Sequence, residues 1–188
     1  QEQAITLSDI EPFIDPEKGV ESADDALAGA LDIVAEHISD DAETRKIIRD
    51  IFRQKGSVRS TGIVEEVSTY SMYYDFAEPV SKIASHRVLA INRGEREKFL
   101  QVKIEVDEEK VVQTIISRFT DEKSPCFDLI SQAARDAYQR LIAPSIEREI
   151  RNLLTEKAVE SALDIFSKNL KNLLLQPPVK NRVIMGFD

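Results

Sequence analysis

Apolar residues recur along most of this chain at intervals of three and four, which predicts a mainly α, multihelical fold with a long C-terminal helix and one or two short strands. Ala26, Leu27, Ala30, Leu31, Val34 and Ile38 form one such stripe. Ser22 can cap it, and Asp24 and Asp25 suit the positive end of the helix dipole, so a helix is predicted over 23–38. A second helix begins after Asp40 or Asp41, turns Ile47, Ile48, Ile51 and Phe52 inward, and ends near Lys55 at Gly56. The short 38–42 connection predicts that the two are antiparallel neighbours.

From Ser57 to Ser81 the pattern breaks down: Ser, Thr, Gly62 and Pro79 interrupt it, and Tyr70, Tyr73, Tyr74 and Phe76 have no clean period. This stretch is expected to owe its order to tertiary packing. Ser85 is the expected cap of a short helix through Val88, Leu89 and Ile91 that stops at Gly94. The one strong strand signal follows, with Leu100, Val102, Ile104 and Val106 alternating with Gln101, Lys103 and Glu105. Asp107 opens a helix carrying Val111, Val112, Ile115, Ile116 and Phe119, and Ser124–Pro125 is the expected cap and first-turn pair of the next. Pro144 should kink or split that helix, because it lacks a backbone donor. Beyond it the helical pattern runs unbroken to Leu175, about 30 residues or roughly 45 Å. Glu147 with Arg151, and Glu156 with Glu160, are expected on its exposed face, the first a helpful spacing and the second not. After Pro177 and Pro178, residues 182–188 read as an apolar strand that needs a partner, either missing or provided by the strand near Val102.

Composition removes several functional classes. The chain of 188 residues starts at Gln1 with neither a basic start nor an apolar run, so a secretory signal is not expected there, and an upstream portion or a tag is expected to be missing. The most apolar windows, 47–52 and 170–175, fall far short of the ~20 residues of a membrane span. Cys126 is the single cysteine, which suits a cytoplasmic protein and leaves no zinc pattern; no cofactor and no small-molecule substrate are expected. A net charge of −9 disfavours non-specific attraction to polyanions. The charge is uneven, however. Arg45, Lys46, Arg49, Arg53, Lys55 and Arg59 face a single acid, Asp50, and a second basic group follows at His86, Arg87, Arg93, Arg96 and Lys98.

The block Tyr73-Tyr74-Asp75-Phe76-Ala77-Glu78-Pro79, followed by Ser85-His86-Arg87-Val88-Leu89-Ala90-Ile91-Asn92-Arg93-Gly94-Glu95, resembles the most recognisable block of the Tex family of bacterial transcription accessory proteins. The segments 23–30 and 32–36 are similar to the same family, and Val183 to Asp188 looks like the first strand of its RNase-H-like domain. The resemblance implies a division into an N-terminal linker or partial helix over 1–21, a multihelical region over 22–176, and a linker with the first strand of a truncated RNase-H-like domain over 177–188. It further implies a cytoplasmic protein whose helix-hairpin-helix and S1 RNA-binding modules lie downstream and contact RNA or DNA, with the transcription machinery as a further partner of the helical part. Two positions depart from the family: Ala84 stands where Pro is usual, and Lys98 where Gly is common.

Each candidate site has a structural reading beside the functional one. His86 and Arg87 offer a proton carrier and a phosphate fork, but no nucleophile, metal cluster or second His joins them, so no catalytic residue is assigned. The favoured reading is that Ser85 caps and that His86 and Arg87 bond the 70–79 segment, with Arg93 and Gly94 closing the motif. Tyr70, Tyr73, Tyr74 and Phe76 could stack on bases; interleaved Asp75 and Glu78 favour their use as anchors instead. Arg45, Lys46, Arg49 and Arg53, with Arg87, Arg93 and Arg96, are the candidates for direct phosphate contact, against which stands the ordinary solvated face of an amphipathic helix. Asp188 resembles a metal-ligating carboxylate of RNase-H-like nucleases, but one acid cannot support two-metal hydrolysis. The expected role is therefore a non-enzymatic helical scaffold, with direct nucleic-acid binding and docking of transcription machinery as alternatives.

Overall fold

The computed structural model describes residues 11–15, 19–64, 66–177 and 185–186. Helix α1 spans Ala23–Asp40 and α2 spans Ala42–Lys55. The Ser22 hydroxyl accepts the Asp25 N–H at 3.2 Å, and the Asp41 carboxylate accepts the Thr44 N–H at 2.7 Å, so each helix opens on a side-chain cap. The two do not lie side by side along their length. They meet over a one-residue joint, while α1 packs mainly against the helix that begins at Phe127.

The segment 57–81, where the apolar period breaks down, holds two strands. β1 (Ser57–Gly62) pairs antiparallel with both β2 (Asp75–Pro79) and β3 (Leu100–Glu105), so the sheet order is β2-β1-β3, one strand more than expected. Val58 stands opposite Glu78 and Ile104, and Ser60 opposite Phe76 and Val102. β3 shows the alternation read from its sequence, with Leu100, Val102 and Ile104 buried.

Helix α3 covers Ser85–Arg96 and corrects two expectations. Ala84 occupies the cap position with no side-chain bond, so Ser85 is the first helical residue and not the cap. Gly94 does not end the helix either. It is buried within it at a close approach: a β-carbon there would stand 2.6 Å from Leu100 Cδ1 and 3.0 Å from Tyr70 Cδ1. Helix α4 (Glu108–Phe119) opens at Asp107, whose carboxylate accepts the Lys110 N–H, as the sequence predicted.

Helix α5 (Phe127–Asp136) starts later than Ser124–Pro125 implied: Ser124 forms a turn, accepting the Phe127 N–H through its carbonyl at 3.1 Å. A π-helical stretch, Ala137–Ile142, then joins α5 to α6 (Ala143–Leu174) without a break. The Ala143 N–H reaches back five residues to the Tyr138 carbonyl. This wider turn is how the chain accommodates Pro144, whose ring would otherwise press on the carbonyl four residues back. Pro144 thus neither ends nor splits the helix.

At 32 residues α6 is about 48 Å long at 1.5 Å per residue. Its first half is embedded, with Ile146 and Ile150 buried in the same core as Ile48, Phe52, Ile91, Val111, Ile115 and Ile142. Ala158 is its last buried residue, and from 162 to 174 every position is exposed. No helix among the described residues is long and apolar enough to cross a membrane. The predicted strand over 182–188 lies almost wholly outside the described residues.

Candidate functional site

The family-like block is a packed unit. Arg87 of α3 donates to the Glu78 carboxylate of β2 at 2.9 Å and sits 5.8 Å above the Phe76 ring. Phe76 meets Tyr73 edge-on at 5.4 Å, and both Tyr73 and Tyr70 are buried. Tyr74 lies against Gly62, where a β-carbon would stand 2.7 Å from its ring, and its hydroxyl donates to the Glu66 carbonyl at 2.7 Å. The aromatic run therefore anchors the β1–β2 connection to α3 and to the turn that precedes β3. Burial, followed by the Glu97 carboxylate that accepts the Tyr70 hydroxyl at 2.8 Å, pushes the Tyr70 pKa above its ordinary value. Asp75 accepts from Arg59 of β1 at 3.3 Å, and His86 is exposed.

The candidate phosphate-binding cations separate into two groups. Arg45 donates to the Ser39 carbonyl at 3.2 Å and to the Ser145 hydroxyl at 2.7 Å, and Arg49 donates to Glu149 at 2.6 Å, so α2 turns both toward α6. Lys46 lies 3.9 Å from Glu43 in an exposed pair, and Arg87 is held by Glu78 as above. Arg53, Arg93 and Arg96 are exposed and have no carboxylate partner among the described residues.

A second constellation has no trace in the sequence spacing. The Glu147 carboxylate of α6 accepts the Ile104 N–H at 2.9 Å, and Arg151, one turn on, donates to the Val102 carbonyl at 3.3 Å. Arg151 also grips Glu95 of α3 through both terminal guanidinium nitrogens, and Asn92 of α3 donates to the Thr155 hydroxyl at 2.8 Å. Glu147 and Arg151 are thus not partners on an exposed face, as their spacing implied; both point into the sheet edge. Around them Asn92, Glu95, Pro144, Arg148 and Asn152 line an open polar groove of about 420 Å³.

In the groove the Thr155 hydroxyl donates to the Arg151 carbonyl and accepts from Asn92, while Glu95 accepts from Arg151 and Glu147 from the Ile104 N–H, so the hydroxyl is not paired with a carboxylate base. Nor are three His, Cys, Asp or Glu side chains among the described residues grouped to hold a metal ion. Here cations and carboxylates fasten helices to a sheet edge.

The region that holds the motif block and the helices around it is similar to known proteins. The Tex central region-like family matches residues 2–166. The chain belongs to that family. Among its relatives are the uncharacterized protein YdcI of Bacillus subtilis, 41% identical over 181 residues, and the transcriptional accessory protein Tex of Neisseria gonorrhoeae, 32% identical over 183 residues. The S1 RNA-binding domain-containing protein 1 of Homo sapiens is 30% identical over 198 residues. These alignments cover 94%, 91% and 97% of this chain, and 25%, 24% and 20% of the respective relatives. The chain thus spans about a quarter or less of the length of these relatives.

Proposed function

We propose that this chain is a non-enzymatic scaffold whose long helix sets the position of nucleic-acid-binding domains elsewhere in a longer transcription accessory protein. The observation that carries the reading is the division of α6 into two halves. The first is fastened to the body by the buried Ile146 and Ile150, by Glu147 and Arg151 on the sheet edge, and by the Glu149 carboxylate that accepts from Arg49 of α2. The second half exposes Leu163, Phe166, Leu170 and Leu173, spaced by three, four and three residues. An apolar helix face held away from its own core is suited to carry further protein, and a continuous helix transmits orientation as a flexible linker cannot.

Two further facts support the reading. The relatives' names, a transcriptional accessory protein and an S1 RNA-binding domain-containing protein, belong to much longer chains. Arg45, Arg49 and Arg87, three of the seven cations considered for phosphate contact, already serve the fold.

The test is Ala162→Pro in the full-length protein, which breaks the exposed half of α6 at a position outside the core. Small-angle scattering should report a changed arrangement of domains, and RNA affinity should fall although every RNA-contacting domain is intact. An unchanged scattering profile with unchanged affinity would reject the scaffold role. The 188-residue chain alone should show no salt-sensitive RNA binding in a filter assay.

A further inference from the structure

We propose that Arg93, Arg96 and Lys98, together with Ile63 and Met72, form a docking surface for an acidic, apolar segment of another protein. The inference does not depend on the scaffold reading, because none of these residues belongs to α6.

Tyr70 gathers these residues. A β-carbon at Gly94, between Arg93 and Arg96 on α3, would stand 3.0 Å from the Tyr70 ring, and both arginines lie within electrostatic reach of its hydroxyl. The Phe99 ring packs on Tyr70 at 5.5 Å, and the Phe99 carbonyl accepts the Ile63 N–H at 3.0 Å. Met72 belongs to the 3-10 turn Ser71–Tyr73 that follows Tyr70 directly.

The surface combines exposed apolar side chains with cations that have no ion-pair partner among the described residues. Met72 and Ile63 are 74% and 54% exposed, whereas Val58, Leu100, Val102 and Ile104 of the neighbouring sheet are buried. Beside them, Arg93, Arg96 and Lys98 have no carboxylate partner among the described residues, although the chain carries a net charge of −9. Of the adjacent acids, Glu95 is paired with Arg151, and Glu97 accepts the Tyr70 hydroxyl without forming an ion pair with either arginine. Glu66 adds one exposed acid at the rim.

Charge complementarity selects a partner rich in carboxylates, and the exposed aliphatic and thioether side chains require that it also bring apolar groups. A polypeptide supplies both. Single-stranded nucleic acid is the poorer fit, because base stacking needs an open ring face and Tyr70, Tyr73 and Phe99 are turned into the fold.

The test pans a random peptide library against the 188-residue chain, with depletion on the Arg93→Glu/Arg96→Glu variant. Both positions are exposed, and circular dichroism checks that the variant is folded. The expected peptides are rich in Asp and Glu interspersed with Leu, Ile, Phe or Met. A synthetic copy of the leading peptide should lose about tenfold or more in affinity on the double charge reversal. It should also weaken on Ile63→Ser/Met72→Ser. Recovery of peptides without acidic bias, or of peptides that bind the reversed variant equally, overturns the proposal. So does an oligo(U) RNA that binds more tightly than the best peptide and is lost in the same variant, and so does self-association of the chain that Met72→Ser abolishes.

Discussion

The Glu147 carboxylate of α6 accepts the backbone N–H of Ile104 on the outer edge of β3 at 2.9 Å. With Arg151 donating to the Val102 carbonyl, a helix supplies the donor and acceptor that a fourth strand would otherwise bring. The same contacts keep that edge of the three-stranded sheet from pairing with another chain. Glu147→Ala should destabilise the protein by about 1–3 kcal/mol, the cost of leaving a buried N–H without its acceptor. Glu147→Gln retains an acceptor oxygen and should lose less than half as much. Urea denaturation of the three proteins checks this; equal losses for Ala and Gln would mean that the carboxylate acts through charge and not through the bond.

Lys98 has φ of 62°, the only positive value at a non-glycine among the described residues. It lies in the tight turn between α3 and β3, where the Phe99 N–H returns to the Gly94 carbonyl at 2.9 Å. The left-handed conformation costs an L-residue about 1–2 kcal/mol, while glycine gives up roughly 0.5–1 kcal/mol in chain entropy. Lys98→Gly should therefore stabilise the fold by about 0.5–1 kcal/mol, read as a higher urea midpoint with an unchanged slope. A lower midpoint would show that the lysine side chain holds the turn through a contact stronger than the strain.

The contrast between β3 and β1 shows what was legible in the sequence. β3 alternates apolar and polar residues, so its inward face could be read directly; β1, Ser-Val-Arg-Ser-Thr-Gly, has one apolar residue and buries Ser60, whose hydroxyl donates to the Tyr73 carbonyl. A buried polar residue satisfied by a loop carbonyl erases the two-residue period, and only the folded chain reveals the partner. Helices α1, α2 and α4 follow from their apolar spacing and caps, and the length of α6 from a helical pattern uninterrupted up to Pro177. The edge latch does not, because Glu147 and Arg151 stand four apart and match an intrahelical pair, whereas each is spent on a strand residue far away in the chain. Gly94 misled for a similar reason: its role is a close approach to Tyr70 and Leu100, which leaves the same sequence trace as a helix end.

That close approach sets two effects of Gly94→Ala against each other. Alanine is favoured over glycine in a helix by about 1 kcal/mol. The new β-carbon, however, would stand 2.6 Å from Leu100 Cδ1, and Leu100 is only 2% exposed, so its side chain has little room to withdraw. Overpacking of this kind costs about 1–3 kcal/mol and should outweigh the propensity gain. The expected result is a net loss of stability, partly restored by Leu100→Val, which removes one methylene from the crowded side. Stabilisation by Gly94→Ala alone would mean that α3 can move away from β3.

Tyr138, buried in the π-helical stretch, has its pKa pushed from 10.0 up to about 12, first by burial and then by the negative charges of Glu108 and Glu147. The unfolded chain then releases this proton more readily than the folded one. The stability that the protonated phenol contributes is complete below pH 10 and is lost as pH rises through about 12. Tyr138→Phe keeps the ring in the core and removes the titration. At neutral pH the two proteins should unfold at similar temperatures; between pH 10 and 12 the native protein should lose thermal stability faster than the Phe variant. Lysines and the other tyrosines are common to both, so the difference isolates Tyr138. Parallel alkaline limbs would show that the phenol ionises as easily inside the fold as in water, and that the turn before Pro144 is open to solvent.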